Sequence, residues 1–123
     1  MMESTILIAE NDSIISLDLK IFLKKHNFKN FSIATTIEDL ILQYQCKKPD
    51  LIIIDSDLKS KFSNCSITQE VLDNLKVPII IISDFLKSDL DLFFIPCNGC
   101  QILEKPINYS ELLNFIDISL CCQ

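Results

Sequence analysis

Four short groups of polar residues carry the side chains with which this chain could do chemistry. Each group directly follows an apolar run, and the groups are Glu10-Asn11-Asp12, Asp55-Ser56-Asp57, Ser83-Asp84 and Lys105-Pro106. Carboxylate and carbonyl oxygens are the ligands that Mg²⁺ prefers, and this ion often binds beside phosphate. A lysine ammonium could neutralise a phosphoryl oxygen, and a serine hydroxyl could hydrogen-bond another. Brought together, these groups would form a site for a divalent metal ion and an oxyanion.

The apolar runs before these groups predict the strands that would position them. Strand-like runs cover 5–9, 31–35, 51–55, 77–83 and the segment "QILEKP", and they are continuously apolar. Such strands are typical of a parallel sheet that is covered on both faces. Helical periodicity predicts five helices between and after them, at 13–26, 37–46, 67–75, 84–94 and 108–120. We therefore expect an α/β fold, a doubly wound five-stranded parallel sheet flanked by five helices.

This fold class predicts where the polar groups meet. In open parallel sheets, ligands bind beyond the carboxyl ends of the strands. The four polar groups follow the first, third, fourth and fifth predicted strands, so we expect their side chains to converge at one edge of the sheet.

Length and composition narrow the classes of function. The chain has 123 residues, 49% of them hydrophobic, which is typical of one globular domain spanning 1–123. Its net charge of −6 and the lack of a Lys/Arg-rich tract argue against direct nucleic-acid binding. No apolar run is long enough to span a bilayer, and the first residues do not resemble a signal peptide. We expect a cytoplasmic protein that binds no membrane.

The six cysteines allow two interpretations. "CNGC" at 97–100 and the adjacent Cys121 and Cys122 could together form a four-thiolate zinc site. Alternatively, all six are ordinary reduced thiols, as expected outside a secretory context. Since a second CxxC motif is missing, the sequence favours the second interpretation.

Four segments, taken in order, resemble the receiver domain of two-component response regulators. They are "ILIAEND", "PDLIIIDSDL", "VPIIIIS" and "ILEKPI". The spacings from Asn11 to Asp55 (44 residues), Asp55 to Ser83 (28) and Ser83 to Lys105 (22) are similar to those of the family, and the resemblance covers essentially the whole chain. It implies a flavodoxin-like receiver fold.

The resemblance also implies a role for each polar group. Asp55 would be the phosphoacceptor, and Ser83 and Lys105 would contact the phosphoryl group. Glu10 and Asn11 stand in the places of the family's acidic pair, and a Mg²⁺ ion would be held by Glu10, Asn11, Asp55 and the main-chain carbonyl of Asp57. The implied partners are a sensor histidine kinase or a phosphotransfer protein, and a second copy of the chain bound through residues 101–120. No turnover of a separate substrate is expected.

Three residues depart from the family pattern. Asn11 replaces a carboxylate, which should weaken Mg²⁺ binding, and Asp12 either compensates in part or only caps the first helix. Asp84 stands where the family prefers a small residue. Its carboxylate would repel a phosphoryl group if it pointed inward, whereas an outward carboxylate, which we favour, would cap the next helix. Ile102 replaces an aromatic residue that reports phosphorylation in the family. These departures support an alternative, a degenerate receiver that acts as an interaction module without phosphorylation.

A third hypothesis is an enzyme. "IIIDSD" also resembles the DxD nucleophile motif of haloacid-dehalogenase-type phosphatases. That motif belongs on the first strand of a longer chain, whereas here it follows the third predicted strand. Too little chain follows Lys105 to complete such a site, so the sequence favours the receiver.

Overall fold

The computed structural model describes residues 3–84 and 100–121. They contain a five-stranded sheet in which every neighbouring pair of strands is parallel. The strands are β1 (Thr5–Ala9), β2 (Asn30–Ala34), β3 (Leu51–Asp55), β4 (Ile79–Ser83) and β5 (Cys100–Glu104). Their order is β2-β1-β3-β4-β5, so β3 lies in the centre of the sheet. Because all strands run in one direction, their carboxyl ends lie along a single edge.

Four helices lie within the described residues: α1 (Ser13–Lys25), α2 (Ile37–Lys47), α3 (Gln69–Asp73) and α4 (Tyr109–Cys121). The first three begin at a side-chain cap. The Asp12 carboxylate accepts from two main-chain N–H groups of α1, and the hydroxyls of Thr36 and Thr68 each accept from one in α2 and α3. Such caps satisfy N–H groups that have no partner within a helix.

The core consists of two apolar layers, one on each face of the sheet. Alternate residues of a strand point to opposite faces, and here both faces are buried, so the strands read as continuously apolar. The layer that contains α1 and α4 includes Ile6, Ile8, Leu19, Leu23, Ile53, Leu112 and Ile116. The layer that contains α2 and α3 includes Leu7, Leu40, Ile52, Ile54, Leu72 and Ile81.

The predicted fold class is confirmed, with small differences in the bounds of its elements. β4 begins at Ile79 rather than at residue 77, because Pro78 has no N–H to donate to a strand ladder. α3 is shorter than predicted, since it begins only after its cap Thr68. The predicted helix at 84–94 lies almost entirely outside the described residues. Within those residues, no helix is long and apolar enough to cross a membrane.

Candidate functional site

Asp55 occupies the carboxyl end of the central strand, where its carboxylate is held on both sides. It is buried, with 2% of the residue exposed. Its Oδ1 accepts the main-chain N–H of Asp57 at 2.8 Å, and its Oδ2 lies 2.6 Å from the Nζ of Lys105. The turn after β3 is closed by the N–H of Leu58, which donates to the Asp55 carbonyl at 3.0 Å. The strand and this turn therefore fix the carboxylate in one orientation.

The electrostatic surroundings keep Asp55 ionised. Burial by itself raises the pKa of a carboxyl group, because a charge is less stable away from water. Here the hydrogen bonds from Glu10, from Lys105 and from the N–H of Asp57 outweigh burial, and the pKa of Asp55 lies below its ordinary value. Asp55 therefore carries its charge at neutral pH, which is the form that a nucleophile needs.

Glu10 follows β1 and brings a second carboxyl group to the same place. It is 3% exposed, and its Oε2 has no hydrogen-bond partner. Burial, together with the hydrogen bond to Asp55 and the charge of Asp55, raises the pKa of Glu10 to about 9. Two buried carboxylates side by side repel each other, so one of them keeps its proton. At neutral pH the pair therefore consists of a neutral Glu10 and a charged Asp55.

Lys105 reaches the site from the end of β5. Its main-chain N–H donates to the Ser83 carbonyl at 2.8 Å, which places the side chain over the end of β4, and its peptide bond to Pro106 is cis. Burial lowers the pKa of Lys105, but the neighbouring carboxylate of Asp55 raises it further, so the net pKa is above its ordinary value. The ammonium remains charged and balances Asp55.

Asp57 and Asp84 form the rim of the site. Asp84 has 64% of its side chain exposed, yet its Oδ2 is still 3.9 Å from the Nζ of Lys105. Asp57 is exposed as well; partial desolvation, the charge of Asp55 and a hydrogen bond with Asp84 raise the pKa of Asp57. An incoming anion would thus pass two acidic side chains before it reached Lys105.

Ser56 belongs to one of the four polar groups, but the sequence analysis assigned it no role of its own. Its hydroxyl donates to the Ser83 Oγ at 3.1 Å, and both residues are buried. Its main-chain N–H donates to the Ile82 carbonyl at 2.8 Å, which continues the pairing of β3 with β4 beyond Asp55. Its position in the sequence could have indicated a place in the site, because a polar residue directly after a fully buried strand lies at the same edge of the sheet as Asp55.

Two carboxyl groups of the site, those of Glu10 and Asp55, could serve as ligands of a magnesium ion. The unpartnered Oε2 of Glu10, beside the Asp55 carboxylate, is a buried oxygen donor without a hydrogen bond. In residues 3–84 and 100–121, no three acidic, histidine or cysteine side chains cluster closely enough to hold a metal. Since Mg²⁺ commonly binds through one or two carboxylates and several waters, the two carboxyl groups with main-chain and water oxygens are a suitable donor set.

The remaining predicted residues lie around the edge of the site. Asn11 is exposed, and Asp12 caps α1. Ile102 is half-buried and lines an open groove of about 590 Å³ that also includes Lys105 and Phe115.

Of the four candidate zinc thiols, two lie outside the described residues, so the zinc hypothesis stays a prediction.

Comparison with known proteins identifies the family. The model of the response regulator receiver domain matches residues 6–117 of the chain. The chain belongs to the response regulator receiver family. The sequence-based interpretation of the four segments is therefore confirmed at the level of the family, and the five-stranded parallel sheet is the fold of such a domain.

Two named relatives are longer transcriptional regulatory proteins. The receiver domain is 24% identical over 115 residues to PdtaR of Mycobacterium tuberculosis, a match that covers 94% of this chain and 56% of that protein. It is 31% identical over 113 residues to KdpE of Staphylococcus aureus, with 90% of this chain and 47% of that protein covered. The chain thus spans about half the length of these relatives.

Solved structures agree with the fold. A response regulator receiver protein from Sinorhizobium medicae superposes with a TM-score of 0.76 at 19% identity, and the match covers 97% of this chain and 95% of that one. The receiver domain of Ssk1 from Saccharomyces cerevisiae, solved with the histidine phosphotransfer protein Ypd1, gives a TM-score of 0.73 at 21% identity. That match covers 97% of this chain and 90% of that one. At these identities the likeness concerns the fold alone.

Proposed function

We propose that this receiver domain accepts a phosphoryl group on Asp55 from a phosphohistidine of a sensor histidine kinase or phosphotransfer protein. An Asp55 carboxylate oxygen attacks phosphorus, an O–P bond forms, and the N–P bond of the donor breaks as its imidazole leaves. The single observation that carries this proposal is the buried, ionised Asp55 whose Oδ2 lies 2.6 Å from Lys105. Mg²⁺, held by Glu10, Asn11, Asp55 and the Asp57 carbonyl, would neutralise charge on the phosphoryl oxygens.

The residues around Asp55 have separate roles in this proposal. Once the O–P bond has formed, Asp55 no longer carries a carboxylate charge. The Lys105 ammonium then moves from Asp55 to a negatively charged phosphoryl oxygen. The Ser83 hydroxyl turns from Ser56 to a second phosphoryl oxygen. The chain accepts the group and turns over no separate substrate, and we expect this transfer to occur in the cytoplasm.

The donor has a suitable contact surface beside the site. Ile14, Leu17 and Ile21 on α1 are 72%, 53% and 57% exposed, and their spacing puts them on one side of the helix. α1 begins three residues after Glu10, so this apolar stripe lies on the helix that starts beside the pocket. The solved Ssk1 receiver with Ypd1 supports a phosphotransfer protein as the class of partner. The self-association through residues 101–120 stays a prediction of the family resemblance.

A second candidate function is a receiver that binds partners without being phosphorylated. The observation that favours it is the acidic rim, because Asp84 lies 3.9 Å from Lys105 and Asp57 lies beside it, with a pKa raised by desolvation, by the charge of Asp55 and by Asp84. A phosphoryl donor is an anion, and like charges within a few ångströms repel it. The interaction of one exposed charge contributes up to about 1 kcal/mol, so removing the charge in Asp84→Ala should raise the rate of phosphorylation by up to about five-fold.

The experiment that tests the proposal is intact mass spectrometry after incubation with a small phosphodonor, with and without Mg²⁺. Wild type should gain one phosphoryl group in the presence of Mg²⁺, Asp55→Asn should gain none, and the exposed α3 variant Asp73→Asn should behave as wild type. Failure of folded wild type and Asp84→Ala to gain the group, from this donor and from a phosphohistidine donor, would refute phosphorylation and favour the second candidate.

A further inference from the structure

Two serine hydroxyls meet between the carboxyl ends of β3 and β4. The register pairs Asp55 with Ile82, so the next residues along the two strands are Ser56 and Ser83. The main-chain N–H of Ser56 donates to the Ile82 carbonyl at 2.8 Å, and the Ser56 hydroxyl donates to the Ser83 Oγ at 3.1 Å. The main chain and the side chain of Ser56 therefore both fix its position against β4.

These two hydroxyls point to a different face of the sheet from the Asp55 carboxylate. Successive side chains of a strand point to opposite faces. Ile54 and Ile81 belong to the layer that contains α2 and α3, and Ser56 and Ser83 follow them by two residues, so they point to the same face. Asp55 lies between Ile54 and Ser56 and points to the other face. In the unphosphorylated chain the Ser83 hydroxyl is thus directed toward Ser56 and away from Asp55.

Burial increases the effect of the hydrogen bond between the two serines. Ser83 is 0% exposed and Ser56 is 9% exposed. A buried hydroxyl that loses its partner cannot readily replace it with water, so breaking such a bond is unfavourable. When Ser83 turns to a phosphoryl oxygen, the Ser56 proton loses the acceptor that it has here. The contact therefore opposes the movement of Ser83 that phosphorylation requires.

We propose that Ser56 is a positioning residue for phosphorylation, because its hydroxyl retains Ser83 in the orientation of the unphosphorylated chain. In this role Ser56 touches no reacting atom and acts through Ser83. The inference rests on the proposed function, since it concerns the step in which Ser83 turns to the phosphoryl group. It adds that this chain carries a residue beside its phosphoacceptor that slows the acceptance of the group.

Removing the Ser56 hydroxyl should therefore speed phosphorylation. The rate is proportional to the fraction of chains in which Ser83 has turned from Ser56. One hydrogen bond between neutral groups shifts such an equilibrium by about two-fold to about ten-fold. We expect Ser56→Ala to raise the rate of phosphorylation by this factor. A residue with a merely structural role would leave the rate unchanged or lower it.

The first test is a double-mutant cycle on the rate of phosphoryl gain from acetyl phosphate and Mg²⁺, followed by intact mass spectrometry. Ser83→Ala should be slower than wild type, because it loses a contact with the phosphoryl group. Ser56→Ala should accelerate wild type and should have no effect in the Ser83→Ala background. An equal acceleration in both backgrounds, or no acceleration of wild type, would overturn the inference.

A matched pair of variants separates the hydroxyl from the packing around it. Ser56→Thr and Ser56→Val introduce side chains of nearly equal size, and only threonine keeps a hydroxyl. Thermal unfolding would check that both variants fold. Ser56→Val should be phosphorylated about two-fold to about ten-fold faster than Ser56→Thr, for the reason given for Ser56→Ala. Equal rates in this pair would contradict a role for the hydroxyl.

A measurement without a phosphodonor distinguishes this inference from the proposed function. Three-bond NMR couplings report the side-chain rotamer of Ser83, which should be single in wild type and mixed in Ser56→Ala. The exposed variant Asp73→Asn should match wild type. If no variant gained a phosphoryl group, the proposed function would fail and the positioning role with it. If the variants were phosphorylated but the Ser83 rotamer were the same with and without the Ser56 hydroxyl, only the inference would fail.

Discussion

Replacing Glu10 with glutamine should remove a pH dependence of stability that one buried proton creates. In the folded state the pKa of Glu10 is raised from 4.5 to about 9 by burial and by Asp55. Between these two values the folded chain keeps a proton that the unfolded chain has lost. The free energy of unfolding therefore falls as pH rises, by at most about 1.4 kcal/mol per pH unit. Below the lower value both states hold the proton, and this dependence vanishes.

The size of the effect follows from the contacts of Glu10. From about pH 5.5 to about pH 8.5, one full proton would lower the free energy of unfolding by about 4 kcal/mol. Because Glu10 and Asp55 share a hydrogen bond, the two carboxyl groups titrate together, and we expect about 2–3 kcal/mol. The raised pKa of Asp57 also makes stability fall as pH rises above 3.8, but wild type and Glu10→Gln share this contribution, so it cancels between them. The lowered pKa of Asp55 acts below its ordinary value of 3.8, and the raised pKa of Lys105 acts above 10.5.

The assay is urea unfolding at about pH 5.5, 7 and 8.5 in a metal chelator, with the midpoint and slope fitted at each pH. Wild type should lose stability with pH, whereas Glu10→Gln, which can still donate to Asp55, should change by less than about 1 kcal/mol. Glu70→Gln, an exposed change in α3, should follow wild type. Equal pH slopes in wild type and Glu10→Gln, or a wild type that gains stability with pH, would show that Glu10 is not the buried proton carrier.

Two further changes test the surroundings of the site. Asp12→Ala removes the oxygen that accepts the N–H groups of Ile14 and Ile15, so it should lower the free energy of unfolding by about 1 kcal/mol. If Mg²⁺ titration also showed a weaker affinity, Asp12 would act on the metal as well. Ser56→Ala removes the hydroxyl that donates to the Ser83 Oγ. A double-mutant cycle of Ser56→Ala and Ser83→Ala should give a coupling free energy of unfolding of about 1 kcal/mol, and strictly additive losses of stability would refute this hydrogen bond.

The strands and their polar ends could be predicted because both depend on local composition. A run such as "LIIID" is buried on both faces, and the residue that follows it must lie at the edge where the sheet meets water. The caps Asp12 and Thr36 were predictable for the same reason, since a cap acts within three residues of its own position. In each case the deciding interaction spans a few residues.

Interactions between distant segments could not be predicted in this way. The sequence suggested that Lys105 and Asp55 would meet. It did not show that Glu10 stays neutral beside them, because the raised pKa of Glu10 depends mainly on its burial in the folded chain. Nor could it show that Glu38 accepts the main-chain N–H of Lys61, a contact that joins residues 23 positions apart. A polar loop such as 56–65 has no periodicity from which its backbone could be derived.

The proton on Glu10 would make Mg²⁺ binding to this site depend on pH. Without metal, the inner group consists of neutral Glu10, anionic Asp55 and cationic Lys105, so its charges already balance. Two carboxylates could bind a cation only if Glu10 lost its proton, so metal binding would release one. We expect Mg²⁺ affinity to rise with pH up to about 9, the pKa of Glu10. The replacement of a carboxylate by Asn11 would therefore lower the Mg²⁺ affinity most at low pH, because Glu10 then still carries its proton.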